Sequence, residues 1–168
     1  MKTLILIRHA KSSWKDTSLR DRERPLNKRG KRDAPVMGRQ LSDAALLPDL
    51  IVSSPAVRAI KTARKIAKAV GHDRNRITIR EEVYMGGVDS LLALIQGLDE
   101  QATRVYLVGH NPDLTDLAIR LTDAGLADIP TCGIAVLEFP CASWRECTAT
   151  QGRLALLLRP ERESRPPA

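Results

Sequence analysis

Aromatic side chains are scarce in this 168-residue chain: two Trp, two Tyr and one Phe, 3% in all. A surface that stacks bases needs interleaved aromatics, so nucleic acid is not an expected partner. The three cysteines, Cys132, Cys141 and Cys147, are odd in number and spaced by nine and six residues. That pattern excludes a disulfide framework and a CxxC pair, and inert thiols are expected. Histidine is equally sparse, with His9, His72 and His110 alone. None stands at ligand spacing from another, so no metal and no cofactor is expected. No apolar run approaches the roughly 18 residues of a membrane span. The apolar start, Met1 to Ile7, leads into Arg8-His9 without the basic flank and cleavage site of a signal peptide, which makes the cytoplasm the expected compartment. Phosphate-loop (GxxxxGK[ST]), dinucleotide (GxGxxG) and hydrolase-elbow (GxSxG) patterns are missing, and Cys132 lacks the C-x5-R loop of a cysteine phosphatase.

What is present describes an ordinary globular chain, 43% hydrophobic and 28% charged. Its length suits one domain, expected over residues 1–159, and can bury roughly 70% of the unfolded surface. A Pro/Arg/Glu-rich tail, residues 160–168, is expected to be mobile. The net charge is +7. Between Lys11 and Asp33 nine basic residues face four acidic ones, a local excess of five. Such a stretch is either a solvated loop or a positive funnel beside a site for an anionic substrate, and phosphate fits the second reading better than a polynucleotide.

Apolar runs and helical periodicities alternate along the chain. Thr3–Ile7 reads as a strand buried on both faces. A helix is expected from Asn27, its N-cap, to about Leu47, kinked or divided at Pro35. Leu50–Val52 reads as a strand. Ser54 as N-cap and Pro55 as first residue would open a helix running to about Val70 and stopping at Gly71. Further expectations are a strand over Ile77–Ile79, a helix over Ser90–Leu98 and a strand over Arg104–Val108. A helix capped by Asn111 and opened by Pro112 follows, with Leu114, Leu117, Ala118 and Leu121 inward. Two more strands, Gly133–Phe139 and Arg153–Leu158, complete the pattern. The alternation predicts a three-layer α/β/α sandwich around a mainly parallel central sheet.

In such a sheet, ligands bind beyond the carboxyl ends of the strands. Arg8-His9 follows the first strand, Ser53-Ser54-Pro55 with Arg58 the second, and Gly109-His110 the fourth. Two histidines and two arginines therefore converge on one edge. Any one of them alone could be a structural ion-pair or hydrogen-bond partner. Together they are costly to bury without an anion. Arginine forks bind phosphoryl oxygens bidentately, and neutral imidazole can attack phosphorus near neutral pH.

The residues also resemble a known family. Leu6-Ile7-Arg8-His9-Ala10-Lys11-Ser12 is similar to the RHG signature of the histidine phosphatase (phosphoglycerate mutase-like) superfamily, with Ala10 in place of glycine. Ser53-Ser54-Pro55-Ala56-Val57-Arg58-Ala59 with Thr62-Ala63 resembles its S-P-x-x-R-A-x-x-T-A segment. Val108-Gly109-His110-Asn111-Pro112 resembles the segment that carries its second histidine. Asp21 to Asn27, Arg29-Gly30 and Thr131-Cys132-Gly133 are most similar to the small SixA-like phosphohistidine phosphatases. The resemblance covers about Met1 to Phe139. It implies a phosphoglycerate mutase-like fold, His9 as nucleophile, Arg8 and Arg58 as phosphoryl clamps, and His110 as a donor to the same oxygens. Ser12 matches a position that can touch phosphate, whereas Lys15 stands where many relatives have asparagine. Glu82, next to Glu81, lies where other branches carry a general acid; adjacent carboxylates are also often plain surface charge.

The resulting expectation is a metal-independent phosphatase that forms a phosphohistidine on His9 and acts on phosphohistidine of a protein. The partner would be a phosphorylated protein with an acidic surface, and the enzyme a monomer with no membrane contact. A phosphatase of small phosphate esters is the alternative within the same class, and a phospho-ligand binding module without turnover the alternative outside it. Mutase activity is disfavoured because the chain is short and lacks insertions that would shield a phosphoenzyme from water.

Overall fold

The computed structural model describes residues 1–161. The expectation of a mobile tail falls mostly on residues 162–168, outside the described residues. Chain order is β1 (Lys2–Arg8), α1 (Lys28–Asp43), β2 (Leu50–Ser53), α2 (Val57–Val70), β3 (Thr78–Ile79), α3 (Gly87–Gln96), β4 (Arg104–Gly109), α4 (Asp113–Thr122), β5 (Ile134–Phe139) and β6 (Arg153–Leu158). The sheet order is β3-β2-β4-β1-β5-β6. Parallel pairing joins β1 to β4, β4 to β2 and β2 to β3, while β5 runs antiparallel to both β1 and β6.

The continuous apolar run of β1 follows from its central place. Successive side chains point to opposite faces of a sheet. Leu4 and Leu6 join one core with α3 and α4, whereas Ile5 and Ile7 join the other with α1 and α2. All four are fully buried. Helices on both faces make the mainly parallel α/β sandwich that the alternating pattern predicts. Among the described residues no helix is long and apolar enough to cross a membrane.

Every helix has a boundary that differs from expectation, α3 among them, which spans Gly87–Gln96 rather than Ser90–Leu98. Pro35 lies inside α1 without dividing it. Its ring removes one bond to the Lys31 carbonyl, and burial of Ala34, Met37 and Leu41 on either side of it holds the helix together. α1 ends at Asp43, ahead of Leu47, where Ala45 turns left-handed at φ 57°. α2 begins at Val57, with Ala56 rather than Ser54 at its N-cap. The Ser54 hydroxyl instead accepts from the Ala56 N–H at 3.2 Å and bonds His110 Nε2 at 2.7 Å. α4 likewise begins at Asp113, one residue after Pro112. Asn111 still serves that helix from outside it, its Oδ1 accepting from the Thr115 N–H at 3.3 Å and hydroxyl at 3.0 Å. Asn27 caps α1 as expected, accepting from the Gly30 N–H at 2.9 Å, and Gly71 closes α2 at φ 74°.

Candidate active site

The carboxyl ends of β1, β2 and β4 lie side by side, and the pairing continues past the strands. The His9 N–H donates to the Gly109 carbonyl at 3.0 Å, and the Ser54 N–H to the Val108 carbonyl at 2.9 Å. On the other side of β1, the Cys132 N–H donates to the His9 carbonyl at 3.1 Å. His9 and His110 are thereby brought together, their ring centroids 5.1 Å apart and tilted by 53°. Tyr84 meets the His110 ring edge-on at 5.4 Å.

The His9 ring is oriented by its own loop. Its Nδ1 lies 2.8 Å from the Ala10 carbonyl oxygen. A carbonyl can only accept, so Nδ1 carries the proton. Burial, with the Arg58, Arg8 and Arg24 charges adding to it, pushes the His9 pKa down to about 4, against the opposing pull of the Ala10 bond. The ring is therefore neutral at neutral pH and Nε2 bears a free lone pair. Burial and then the neighbouring His9 and Arg58 take His110 down to about 3.

Both arginines expected at the site are there, each held by a carboxylate far away in sequence. Arg8 Nη1 donates to the Ile129 carbonyl at 3.0 Å and pairs with Asp128 at 3.4 Å. Arg58 Nη1 donates to the Asp21 main-chain carbonyl at 2.6 Å, and its Nη2 to the Asp21 carboxylate at 2.9 Å. The Nε atoms of both arginines are buried without a hydrogen-bond partner. α2 is tied to the segment after His9 through Thr62, whose hydroxyl accepts from the Ala10 N–H at 3.0 Å and donates to the Arg58 carbonyl at 2.7 Å.

Ser12 is buried, and its hydroxyl accepts from Arg24 Nη1 at 2.8 Å. Glu82 is occupied differently from a proton donor. It pairs with Arg80 at 2.8 Å, and that bond holds its carboxyl below the usual carboxylate range. Glu81 pairs with Arg22 at 2.9 Å. Lys15 is exposed.

Asp21 is the residue whose role the sequence concealed. It accepts from the Tyr84 hydroxyl at 2.6 Å as well as from Arg58, and pairs with Arg24 at 3.3 Å. The Tyr84 bond, followed by the Arg58 contacts, holds its pKa near 2 despite partial burial. Its place in the Asp-Arg-Glu-Arg-Pro segment was the available signal; Tyr84 and Asp128 gave none. Among the described residues no three His, Cys, Asp or Glu side chains gather into a group able to hold a metal ion. The arrangement is thus a free imidazole nitrogen beside a second imidazole, surrounded by fixed guanidinium groups, a setting suited to receiving a phosphoryl group.

Comparison with known proteins identifies the family and the fold. Residues 4–91 match the histidine phosphatase superfamily (branch 1). An uncharacterized chloroplastic protein of Arabidopsis thaliana is 34% identical over 157 residues, which cover 89% of this chain and 72% of that one. Two solved structures provisionally designated phosphohistidine phosphatase SixA share the fold. The one from Agrobacterium tumefaciens is 30% identical with a TM-score of 0.81, covering 95% of this chain and 98% of its own. The one from Nakamurella multipartitia is 28% identical with the same TM-score of 0.81, covering 95% and 96%. The chain belongs to branch 1 of the histidine phosphatase superfamily.

Proposed function

We propose that this protein is a phosphohistidine phosphatase that carries the phosphoryl group on His9 and takes it from a histidine of a protein. The observation that carries the reading is the His9 ring, whose Nδ1 is committed to the Ala10 carbonyl and whose Nε2 is free beside His110. Nε2 attacks the phosphorus of a substrate phosphohistidine whose ring has taken a proton from solvent on its other nitrogen; the N–P bond breaks and neutral imidazole leaves with that proton. Water then attacks the phosphohistidine, the bond to Nε2 breaks, and inorganic phosphate departs with both protons of that water, leaving His9 neutral.

Arg8 and Arg58 bind the equatorial oxygens, where charge accumulates in the transition state. His110 donates to the same oxygens. Ser54 Oγ already accepts from the Ala56 N–H, so its own O–H is available for His110 Nε2 and leaves the ring proton on Nδ1.

The state of the carboxylates favours a nitrogen leaving group over an alkyl oxygen. Asp21 is held near 2, and Glu82 is held ionised by Arg80. An alkyl phosphate needs a proton donor to its leaving oxygen, whereas a phosphoramidate departs readily once its nitrogen is protonated.

A substrate panel of a histidine-phosphorylated protein, a phosphoserine peptide and small sugar phosphates tests the reading. The phosphohistidine protein is expected to show the highest kcat/KM, with an acid-labile, base-stable phosphoryl group trapped on His9. Preference for a sugar phosphate would favour the small-ester reading. Tight binding of all three without turnover would favour a binding module. Turnover is expected to survive excess EDTA, because the cations at the site are arginines; loss of activity restored by a divalent ion would refute that.

A further inference from the structure

The two helical layers differ in charge. α1 and α2 carry ten basic and two acidic side chains, whereas α3 and α4 carry one basic and three acidic. α2 has no acidic residue at all. Arg58 is spent in the site, and Arg29 and Arg32 lie against Asp33. Arg39, Lys61, Arg64, Lys65 and Lys68 make no ion pair or side-chain hydrogen bond among the described residues.

Lys61, Arg64, Lys65 and Lys68 stand three and four apart, so they share one face of α2, and each like-charge pair at that spacing destabilises a helix. A face kept only for solubility would intersperse signs. Between the helices a groove of about 420 Å³ is lined by Pro35, Arg39, Lys65, Lys68 and Ala69. Its floor is tight, since a Cβ on Gly38 would lie 2.6 Å from that of Ala69.

The stripe has a direction. Both helices start at the active-site edge of the sheet and run away from it. Lys61 to Lys68 therefore lie about 5 to 15 Å beyond Arg58 along the helix axis. Lys11, two residues from His9, is exposed and adds a further cation close in sequence to the site.

α1 and α2 contain no aromatic residue for base stacking and expose no large apolar side chain for a lipid surface. What remains is an extended polyanion of carboxylates. We propose that the outer face of α1 and α2 docks an acidic segment of the protein substrate while the phosphohistidine of that chain lies against His9. The proposal rests on the phosphohistidine reading above, and a two-part experiment separates them.

The probes are a phosphohistidine peptide with six glutamates on either side, three to eight residues from the phosphohistidine, and its glutamine counterpart. Such a segment spans about 20 Å when extended, enough to follow the stripe. The glutamate peptide is expected to have a kcat/KM about 10-fold higher at low ionic strength. The preference should collapse at about 0.5 M salt, where screening is strong. It should also vanish in the R39Q/K65Q/K68Q variant, whose turnover of an aryl phosphate stays at the wild-type rate. Equal kcat/KM for the two peptides on wild type, or a preference that persists in the triple variant, overturns the proposal.

If neither peptide loses phosphate while the aryl phosphate is hydrolysed, the phosphohistidine reading fails. The surface is then judged by fluorescence anisotropy of the labelled, unphosphorylated glutamate peptide. Binding to wild type that the triple variant loses sustains the docking face, and lack of binding to wild type refutes it. A DNA duplex of about 20 base pairs that outcompetes the glutamate peptide would reassign the face to nucleic acid.

Discussion

Arg58 is held by Asp21 at two points, the main-chain carbonyl at 2.6 Å and the carboxylate at 2.9 Å. A single loop residue thus fixes the plane of a guanidinium group 37 positions away in sequence. Tyr84 in turn fixes Asp21 through its hydroxyl. Asp21 is a positioning residue for the arginine.

Removing the arginine and loosening it should have separable effects. Arg58→Ala is expected to lower kcat/KM by at least ~100-fold, the usual loss for one donor to a developing anion. Asp21→Asn keeps the carbonyl contact and should lose less, with kcat falling more than KM rises. Restoration of the rate by Asp21→Glu would confirm an orienting role. A near-wild-type rate for Arg58→Ala would remove the clamp from the mechanism. Both are read from steady-state kinetics on an aryl phosphate.

The histidine pair sets a pH signature. His9 must be neutral to attack, and its pKa of about 4 places the acid limb of kcat/KM near pH 4 rather than 6.5, once ionisation of the substrate is allowed for. Stability follows the same groups. Both pKa values are lower folded than unfolded, so the unfolded chain binds more protons below pH 6.5. The contribution of His9 and His110 is complete above pH 6.5 and is lost as pH falls through about 4 and then 3. In His9→Ala, denaturant titrations should show a shallower loss of stability over that window.

Glu82→Gln should change turnover of phosphohistidine by less than about 3-fold. The carboxylate is paired with Arg80 and held below its usual range, so its removal takes away only an exposed surface ion pair. A loss of about 100-fold would instead identify it as the proton donor.

Gly30→Ala sets two opposing effects against each other. Alanine gains about 1 kcal/mol of helix propensity over glycine. The added Cβ, however, would lie 2.2 Å from the Lys11 carbonyl oxygen, which accepts from the Asn27 N–H. Backbone must move, at about 1–3 kcal/mol for an overpacked site. Net destabilisation is expected in thermal melts. Activity should drop as well, because Lys11 lies two residues from His9.

Much of this was legible beforehand, for a definite reason. Arg8, His9 and His110 stand at or just beyond the ends of apolar runs, and Arg58 follows a strand by five residues. Strand polarity alone sends them to one edge. The counterions were not legible, because Asp21, in a single 3-10 turn, and Asp128, in a loop, lie 37 and 120 residues from the arginines they hold. Ser54-Pro55 was misleading for a different reason. The local signal for a helix cap is the same whether the hydroxyl turns back to the helix or across to His110, and only the third strand end decides. Pro35 shows packing overriding a local rule, since the helix continues where its core-facing side chains are buried on both sides.

Because β1 lies inside the sheet, the backbone of His9 is bonded to its neighbours on both sides, through the Gly109 carbonyl and the Cys132 N–H. The His9 ring therefore hangs from an anchored stretch of backbone. The Asp21 segment, a single 3-10 turn that positions Arg58, lies outside the sheet and has no such strand pairing. Substitutions in that segment can therefore shift Arg58 while the backbone seat of His9 stays as it is.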